Sequence, residues 1–293
     1  MALNFKTLTQ RALTAAVFVG VLLSCILYNF LSFSLLFFVI SILGLLEFYS
    51  VTEKLGAKPF KVLGCVSGVI LYLSGLISNA GFNFFNGWNQ MLILAFILPF
   101  IIFINSIFSK HEKPIMNAAY TLAGIIYVIL PFILLNNISC INKSTIVIQE
   151  ENNFLDSSFY NAHIILGIFL LIWANDTSAY LTGSLLGKHK LYERISPGKT
   201  WEGSIGGVIL TIASVFIIAN WFPEIKLIHW MVMATIIIVF GTLGDLFESL
   251  LKRQAGIKDS GKIMPGHGGI LDRFDSLIFA TPFLYLYLNW INS

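Results

Sequence analysis

The feature that most constrains this chain is a succession of apolar runs near 11–30, 33–52, 60–79, 89–108, 115–136, 160–183, 203–222, 229–251 and 270–291. Each is about twenty residues long, which as an α-helix is enough to cross the roughly 30 Å hydrocarbon core of a bilayer. Inside that core a backbone amide finds no water, so each run has to satisfy its own hydrogen bonds as a helix. The expected fold is therefore an all-α polytopic membrane protein with about nine transmembrane helices, a single membrane domain over 1–293. Charged residues are 11% of the chain, far below the roughly 25% of a soluble domain.

Charge placement gives the expected orientation. With a cytoplasmic N-terminus, sixteen of the eighteen Lys and Arg residues fall on the cytoplasmic side and Lys143 and Lys226 alone face the exterior. An odd number of spans then leaves the C-terminus outside. Met1 to Arg11 followed by an apolar run resembles a signal peptide, and Leu22-Leu23-Ser24-Cys25 hints at a lipoprotein cleavage site. The run is long for a signal core and a second span follows at once, so an uncleaved first span is expected. Cys25, Cys65 and Cys140 are scattered, without the spacing of a zinc site or a disulfide framework.

Polar residues divide the chain unevenly. The five spans over 1–136 are motif-poor; Pro99 and Pro131 lie inside spans, where neighbouring helices can re-satisfy freed carbonyls. Glu47, the lone acid among them, reads as a snorkelling acid or a structural partner for a lysine such as Lys54, rather than a catalytic group. Asn136 to Tyr160 reads as a solvated exterior connector.

The four spans over 160–293 carry the expected active site. Asp176 and Asp245 each stand about sixteen residues from the exterior end of their spans, roughly 24 Å of helical travel, near the cytoplasmic edge of the core. Asp272 and Asp275 open the last span on its cytoplasmic side, three residues apart and so on one side of a helix. Acids at this depth are costly unless paired or facing water. Four of them at one level, from three helices, are expected to share a cavity holding a hard divalent cation such as Mg²⁺, with a second ion possible.

Two segments supply cations. Ser196-Pro197 reads as a helix start, a side-chain cap followed by proline, with Gly198, Lys199 and Thr200 presenting donors and a charge at the helix N-terminus. It is not the end of a P-loop, because the first glycine of that motif would fall at Glu193. The second segment, Ser249 to Asp275, is a polar island containing Lys252, Arg253, Lys258, Lys262, His267 and Arg273. Its lysines and arginines, with the bare backbone of Gly266 to Gly269, suit a polyphosphate.

Within that island, S-x-x-K-R-x-x-x-x-K-D-x-G followed by P-G-H-G-G-I-x-D-R-F-D resembles the signature of the phosphatidate cytidylyltransferases, also called CDP-diacylglycerol synthases. Met264 departs mildly, a hydrophobic residue where the family more often has Leu, Ile or Phe. S-P-x-K-T-x-E at Ser196 to Glu202 recurs in the same family, so the similarity extends from Trp173 to Asp275. The resemblance implies transfer of CMP from CTP to phosphatidate, giving CDP-diacylglycerol and pyrophosphate in phospholipid biosynthesis. It makes Asp245 and Asp272 the leading Mg²⁺ ligands, and Asp176 and Asp275 further ligands or orienters. Ser249, one turn from Asp245, would contact metal or phosphate. Lys252, Arg253 and Lys199 would neutralise phosphates, with Ser196, Thr200, Lys258, Gly268, Gly269 and Arg273 around the substrate. His267 would donate to phosphate or hold the turn, and Glu248 would position Lys252. The resemblance also implies a homodimer in a bacterial inner membrane, with its site at the cytoplasmic face and lipid and CTP, not nucleic acid, as partners.

Rival readings lack their marks. A CDP-alcohol phosphotransferase needs D-G-x-x-A-R, which is absent, and a prenyltransferase needs further acids where Tyr180 stands. A secondary transporter is expected to show repeated halves with midplane sites. A non-catalytic relative would not need carboxylates at the motif positions.

Overall fold

Each expected apolar run lies on a helix. The computed structural model describes residues 5–79, 87–141, 160–261, 263 and 268–292. In chain order its helices are α1 (Phe5–Tyr28), α2 (Phe30–Lys54), α3 (Lys61–Asn79), α4 (Gly87–Phe108), α5 (Pro114–Ser139), α6 (Ala162–Leu186), α7 (Trp201–Trp221), α8 (Leu227–Gln254) and α9 (Leu271–Asn292). Five of these, α2, α5, α6, α7 and α8, are long and apolar enough to cross a membrane; α1, α3 and α4 carry shorter apolar stretches. On α4, Phe96, Phe100, Ile104 and Phe108 form an exposed stripe at four-residue spacing, the surface expected against lipid. His267, Lys262 and Lys143 lie outside the described residues.

The architecture is all-α apart from one short hairpin. Between α6 and α7 the chain forms a hairpin of β1 (Lys190–Tyr192) and β2 (Ser196–Thr200), antiparallel, with Tyr192 opposite Ser196 and Lys190 opposite Thr200. Ser196-Pro197 therefore does not start a helix; α7 begins at Trp201. Thr200 takes the cap instead, its Oγ1 accepting from Gly203 N at 3.1 Å. Pro197 has no N–H to offer a ladder, so it suits an edge strand, and its carbonyl accepts from Lys190 Nζ at 2.7 Å.

The chain forms two compact units, Met1–Asn137 with Leu251–Phe274, and Ile138–Leu250 with Asp275–Ser293. The division falls beside the expected border between motif-poor and motif-bearing spans, but Leu251–Phe274 belongs with the first unit.

In the first unit α2 is the central element. Tyr49 is fully buried, its OH donating to Thr121 O at 2.9 Å, and glycines at Gly64 and Gly124 leave room for its ring, since a Cβ there would lie 2.2 Å and 2.6 Å from Tyr49 atoms. Ser34, Tyr72 and Asn136 form a closed polar network, Ser34 Oγ donating to Asn136 Oδ1 at 2.7 Å and Asn136 Nδ2 to Tyr72 OH at 2.6 Å. Phe274 packs against Phe18, Phe37 and Phe132 with ring centroids 5.8–6.0 Å apart, which anchors the start of α9. Within α5 a π-helical stretch, Ile125–Ile129, precedes Pro131, an arrangement that accommodates the missing proline N–H.

In the second unit α6 and α7 pair closely. A Cβ at Gly203 would lie 2.8 Å from Ala179 O, and one at Gly206 2.4 Å from Thr182. Trp230 lies over Gly167, where a Cβ would meet its ring at 2.0 Å. Helix α8 has a π-helical stretch at Ile237–Gly241, and Ser276 Oγ donates to Gly241 O at 3.3 Å. Gly244 lets α8 approach the first residue of α9 in this unit, a Cβ there falling 2.5 Å from Asp275 O.

Candidate active site

In the second unit the hairpin delivers a lysine to a carboxylate. Glu202 fixes one end of the hairpin, accepting from Lys188 N at 3.1 Å and pairing with His189 Nδ1 at 2.6 Å. The capped Thr200 fixes the other. Between them Lys199 Nζ lies 2.6 Å from Asp245 Oδ2, while Ser249, one turn along α8, donates to Asp245 Oδ1 at 3.3 Å. Asp176 on α6 is hydrogen-bonded by Asn175 and lies within electrostatic reach of both Asp245 and Lys199. Two carboxylates and one lysine leave this cluster a formal charge of −1, with the Ser249 hydroxyl as a further oxygen beside them.

In the first unit the central group is Asp272. Helix α8 ends in a glycine cap, Gly256 with φ of +67° and Ile257 N donating to Lys252 O at 2.9 Å. That cap places Lys252 in the last turn, and its Nζ donates to Asp272 Oδ1 at 2.6 Å. The other oxygen, Oδ2, accepts from Ser260 N at 2.9 Å, Ser260 Oγ at 3.0 Å and Gly269 N at 2.7 Å. Gly268 has φ of +85°, and a Cβ there would lie 2.5 Å from Asp272 Oδ2, so both the turn and the closeness of the carboxylate require glycine.

Glu47 belongs to this cluster, which corrects its reading as a snorkelling acid or a partner of Lys54. It is 6% exposed, and its Oε2 accepts from Ser260 Oγ at 3.1 Å and Leu271 N at 3.0 Å. No spacing rule reaches a partner so far along the chain; the only signal is its isolation as the single acid of the apolar run 33–52.

The remaining expected residues divide. Arg253, Lys258 and Arg273 are exposed, Arg253 donating to Ile257 O at 3.4 Å. Ser196 is half-buried in β2. Thr200 is buried and its Oγ1 accepts the α7 cap hydrogen bond, so the helix start expected at Ser196 lies at Thr200. Glu248 is buried. Asp275 Oδ1 accepts from Ser276 N at 2.7 Å. The carboxylates expected to share one cation are distributed, Asp272 in the first unit and Asp176, Asp245 and Asp275 in the second. Among the described residues no three His, Cys, Asp or Glu side chains form a group able to hold a metal ion. A hard divalent cation takes only one or two protein carboxylates and completes its shell with water and phosphate. Asp176, Asp245 and Ser249, all oxygen donors with a residual negative charge, fit that requirement.

The cytidylyltransferase family profile matches residues 9–291. The chain belongs to the cytidylyltransferase family. As a member it is 34% identical over 282 residues to a phosphatidate cytidylyltransferase of Staphylococcus epidermidis, covering 95% of this chain and 98% of that one. It is 35% identical to the Staphylococcus haemolyticus protein of that name and 34% identical to that of Staphylococcus aureus strain COL, with the same coverage. The family match takes in the first five spans, which carried no recognisable motif, as well as both lysine–carboxylate clusters.

Proposed function

We propose that this protein is a membrane-embedded phosphatidate cytidylyltransferase, transferring CMP from CTP to phosphatidate with release of pyrophosphate. The observation that carries the reading is the pair of lysine–carboxylate contacts, Lys199 with Asp245 and Lys252 with Asp272, at the motif positions of a chain the family covers almost end to end.

The reaction brings an anionic nucleophile to an anionic triphosphate, so its barrier is largely electrostatic. A phosphate oxygen of phosphatidate forms a bond to the α-phosphorus of CTP, and the bond from that phosphorus to the bridging oxygen breaks, its electron pair leaving on pyrophosphate. The attacking oxygen is already ionised, so no strong general base is needed. Lys199 and Lys252 are held beside carboxylates until substrate phosphates offer a competing anion. Their ammonium groups then neutralise charge on the nucleotide and the lipid phosphate. Gly268, Gly269 and Ser260 shape the loop that fixes Asp272. Asp245 and Asp176 would hold Mg²⁺, which when bound supplies charge neutralisation at the phosphates. Arg253, Lys258 and Arg273, exposed on the same loop and helix ends, provide the cationic approach for CTP.

The proposed setting is a bacterial inner membrane crossed nine times, N-terminus and active site on the cytoplasmic side, C-terminus outside, the protein acting as a homodimer. Five spanning-length helices, three further apolar helices and the charge bias of the loops support the membrane placement. The test is purified protein in detergent with labelled CTP, phosphatidate and Mg²⁺. An EDTA-sensitive labelled lipid formed together with pyrophosphate is expected, and its absence would reject the reading.

A further inference from the structure

Burying a carboxylate in an apolar helix bundle is costly, and helix α2 does so at Glu47. The cost is unusual in detail. Oε2 accepts from Ser260 Oγ and Leu271 N, but Oε1 is buried with no hydrogen-bond partner among the described residues. The backbone around it is shaped to its outline: a Cβ on Gly261 would lie 2.2 Å from Oε1, and one on Gly269 2.4 Å from Oε2. A neutral side chain could tie a loop to a helix more cheaply.

What Glu47 holds explains the expense. Ser260 Oγ lies 3.1 Å from Glu47 Oε2 and 3.0 Å from Asp272 Oδ2, so one hydroxyl stands between the two carboxylates. The residue whose hydroxyl Glu47 fixes also gives its amide to Asp272 at 2.9 Å. The one backbone amide it fixes, Leu271 N, belongs to the first residue of α9, the immediate neighbour of Asp272. Both grips of Glu47 thus bear on one side chain, from opposite ends of the 260–271 loop. Gly44, one turn before Glu47, packs close to Ile270 and Leu271, where a Cβ would stand 3.6 Å from each, so α2 also supports the residues just before Asp272.

We propose that Glu47 is a positioning residue for Asp272, setting the orientation of its carboxylate through Ser260 and the Leu271 amide. The inference rests on the proposed function insofar as Asp272 serves the cytidylyl transfer. Asp272 Oδ2 receives two backbone amides from Ser260 and Gly269 and shares the single Ser260 hydroxyl proton with Glu47, which leaves Oδ1 directed at Lys252; loosening these contacts frees the carboxylate to rotate and weakens that direction.

The test compares wild type, Glu47→Ala, Glu47→Gln, Ser260→Ala and Glu47→Ala/Ser260→Ala in detergent. Glu47→Ala is expected to lower kcat by about 100-fold with KM for CTP changed less than about threefold, the pattern of a group that acts after binding. Glu47→Gln keeps one carbonyl oxygen to accept both hydrogen bonds and is expected to recover kcat to within about tenfold of wild type. Ser260→Ala should cost about tenfold, and the double variant should be no slower than Glu47→Ala, because the two residues act along one chain of contacts. Independent multiplication of the two losses, or a loss confined to KM, would overturn the proposal. Hydrogen exchange over 258–272 gives a readout free of turnover: faster exchange of this segment in Glu47→Ala and Ser260→Ala is expected, and wild-type protection in both would overturn the proposal. Should Glu47→Ala not fold, Ser260→Ala decides, with wild-type kcat and wild-type exchange counting against it. A wild-type protein that makes no CDP-diacylglycerol but shows the exchange pattern would reject the proposed function and leave the positioning role standing.

Discussion

At the scale of single residues, the two lysine–carboxylate pairs differ in what surrounds them. Asp272 is almost enclosed, its side chain 9% exposed, whereas Asp245 is 34% exposed. Asp272→Ala leaves Lys252 and the amides of Ser260 and Gly269 facing an empty position, while Asp245→Ala removes a carboxylate near solvent. Both are expected to reduce CTP incorporation into lipid by at least about 100-fold. Asp272→Ala should in addition lower the melting temperature measurably, Asp245→Ala much less; the two assays on one preparation check both statements. Gly268→Ala is a sharper probe, since its φ of +85° and the 2.5 Å approach of Asp272 Oδ2 both oppose a side chain. Activity loss with unchanged helical circular dichroism is expected. Asp272, Lys252 and the glycines were legible in the sequence because they sit within one dense polar segment. Glu47 was not, because its meaning lies in a loop more than two hundred positions away.

At the scale of elements, the helices were readable from length and apolarity alone, since a run of about twenty apolar residues has few other solutions in lipid. The hairpin was not. Ser196-Pro197 carries the marks of a helix start, yet Thr200 carries the same capping chemistry four residues later and is followed by the apolar run itself. The later cap prevails because it places Gly203, Gly206 and Gly207 against α6, where the helices approach most closely. The strand that results holds Lys199 at Asp245. Thr200→Val removes the cap acceptor and keeps the volume; a loss of about 1 kcal/mol in stability is expected, accompanied by a larger fall in activity than stability explains, because Lys199 loses its register. Thr200→Ser should restore both, as measured by thermal unfolding and CTP turnover.

At the scale of the whole molecule, the loop charges make a prediction about sidedness. In a background without Cys25, Cys65 and Cys140, Lys226→Cys is expected to react with an impermeant maleimide added outside intact cells, and Lys258→Cys only after permeabilisation. The reverse pattern would invert the topology. Lys143→Ala, in the expected exterior loop, should leave turnover within about twofold of wild type. The apolar runs were legible in the sequence, but not the two compact units, because the return of Leu251–Phe274 to the first unit depends on Phe274 finding Phe18, Phe37 and Phe132.

The grip of α2 on the amide of Leu271 joins positions separated by 224 residues. During synthesis α2 is therefore made and inserted long before the backbone it must hold has left the ribosome. Its buried acid has to wait in the membrane without that partner until the last helix arrives. A nascent chain ending before α9 should accordingly carry a protease-sensitive 252–261 stretch, and the enzyme gains its working loop only once α9 has been made.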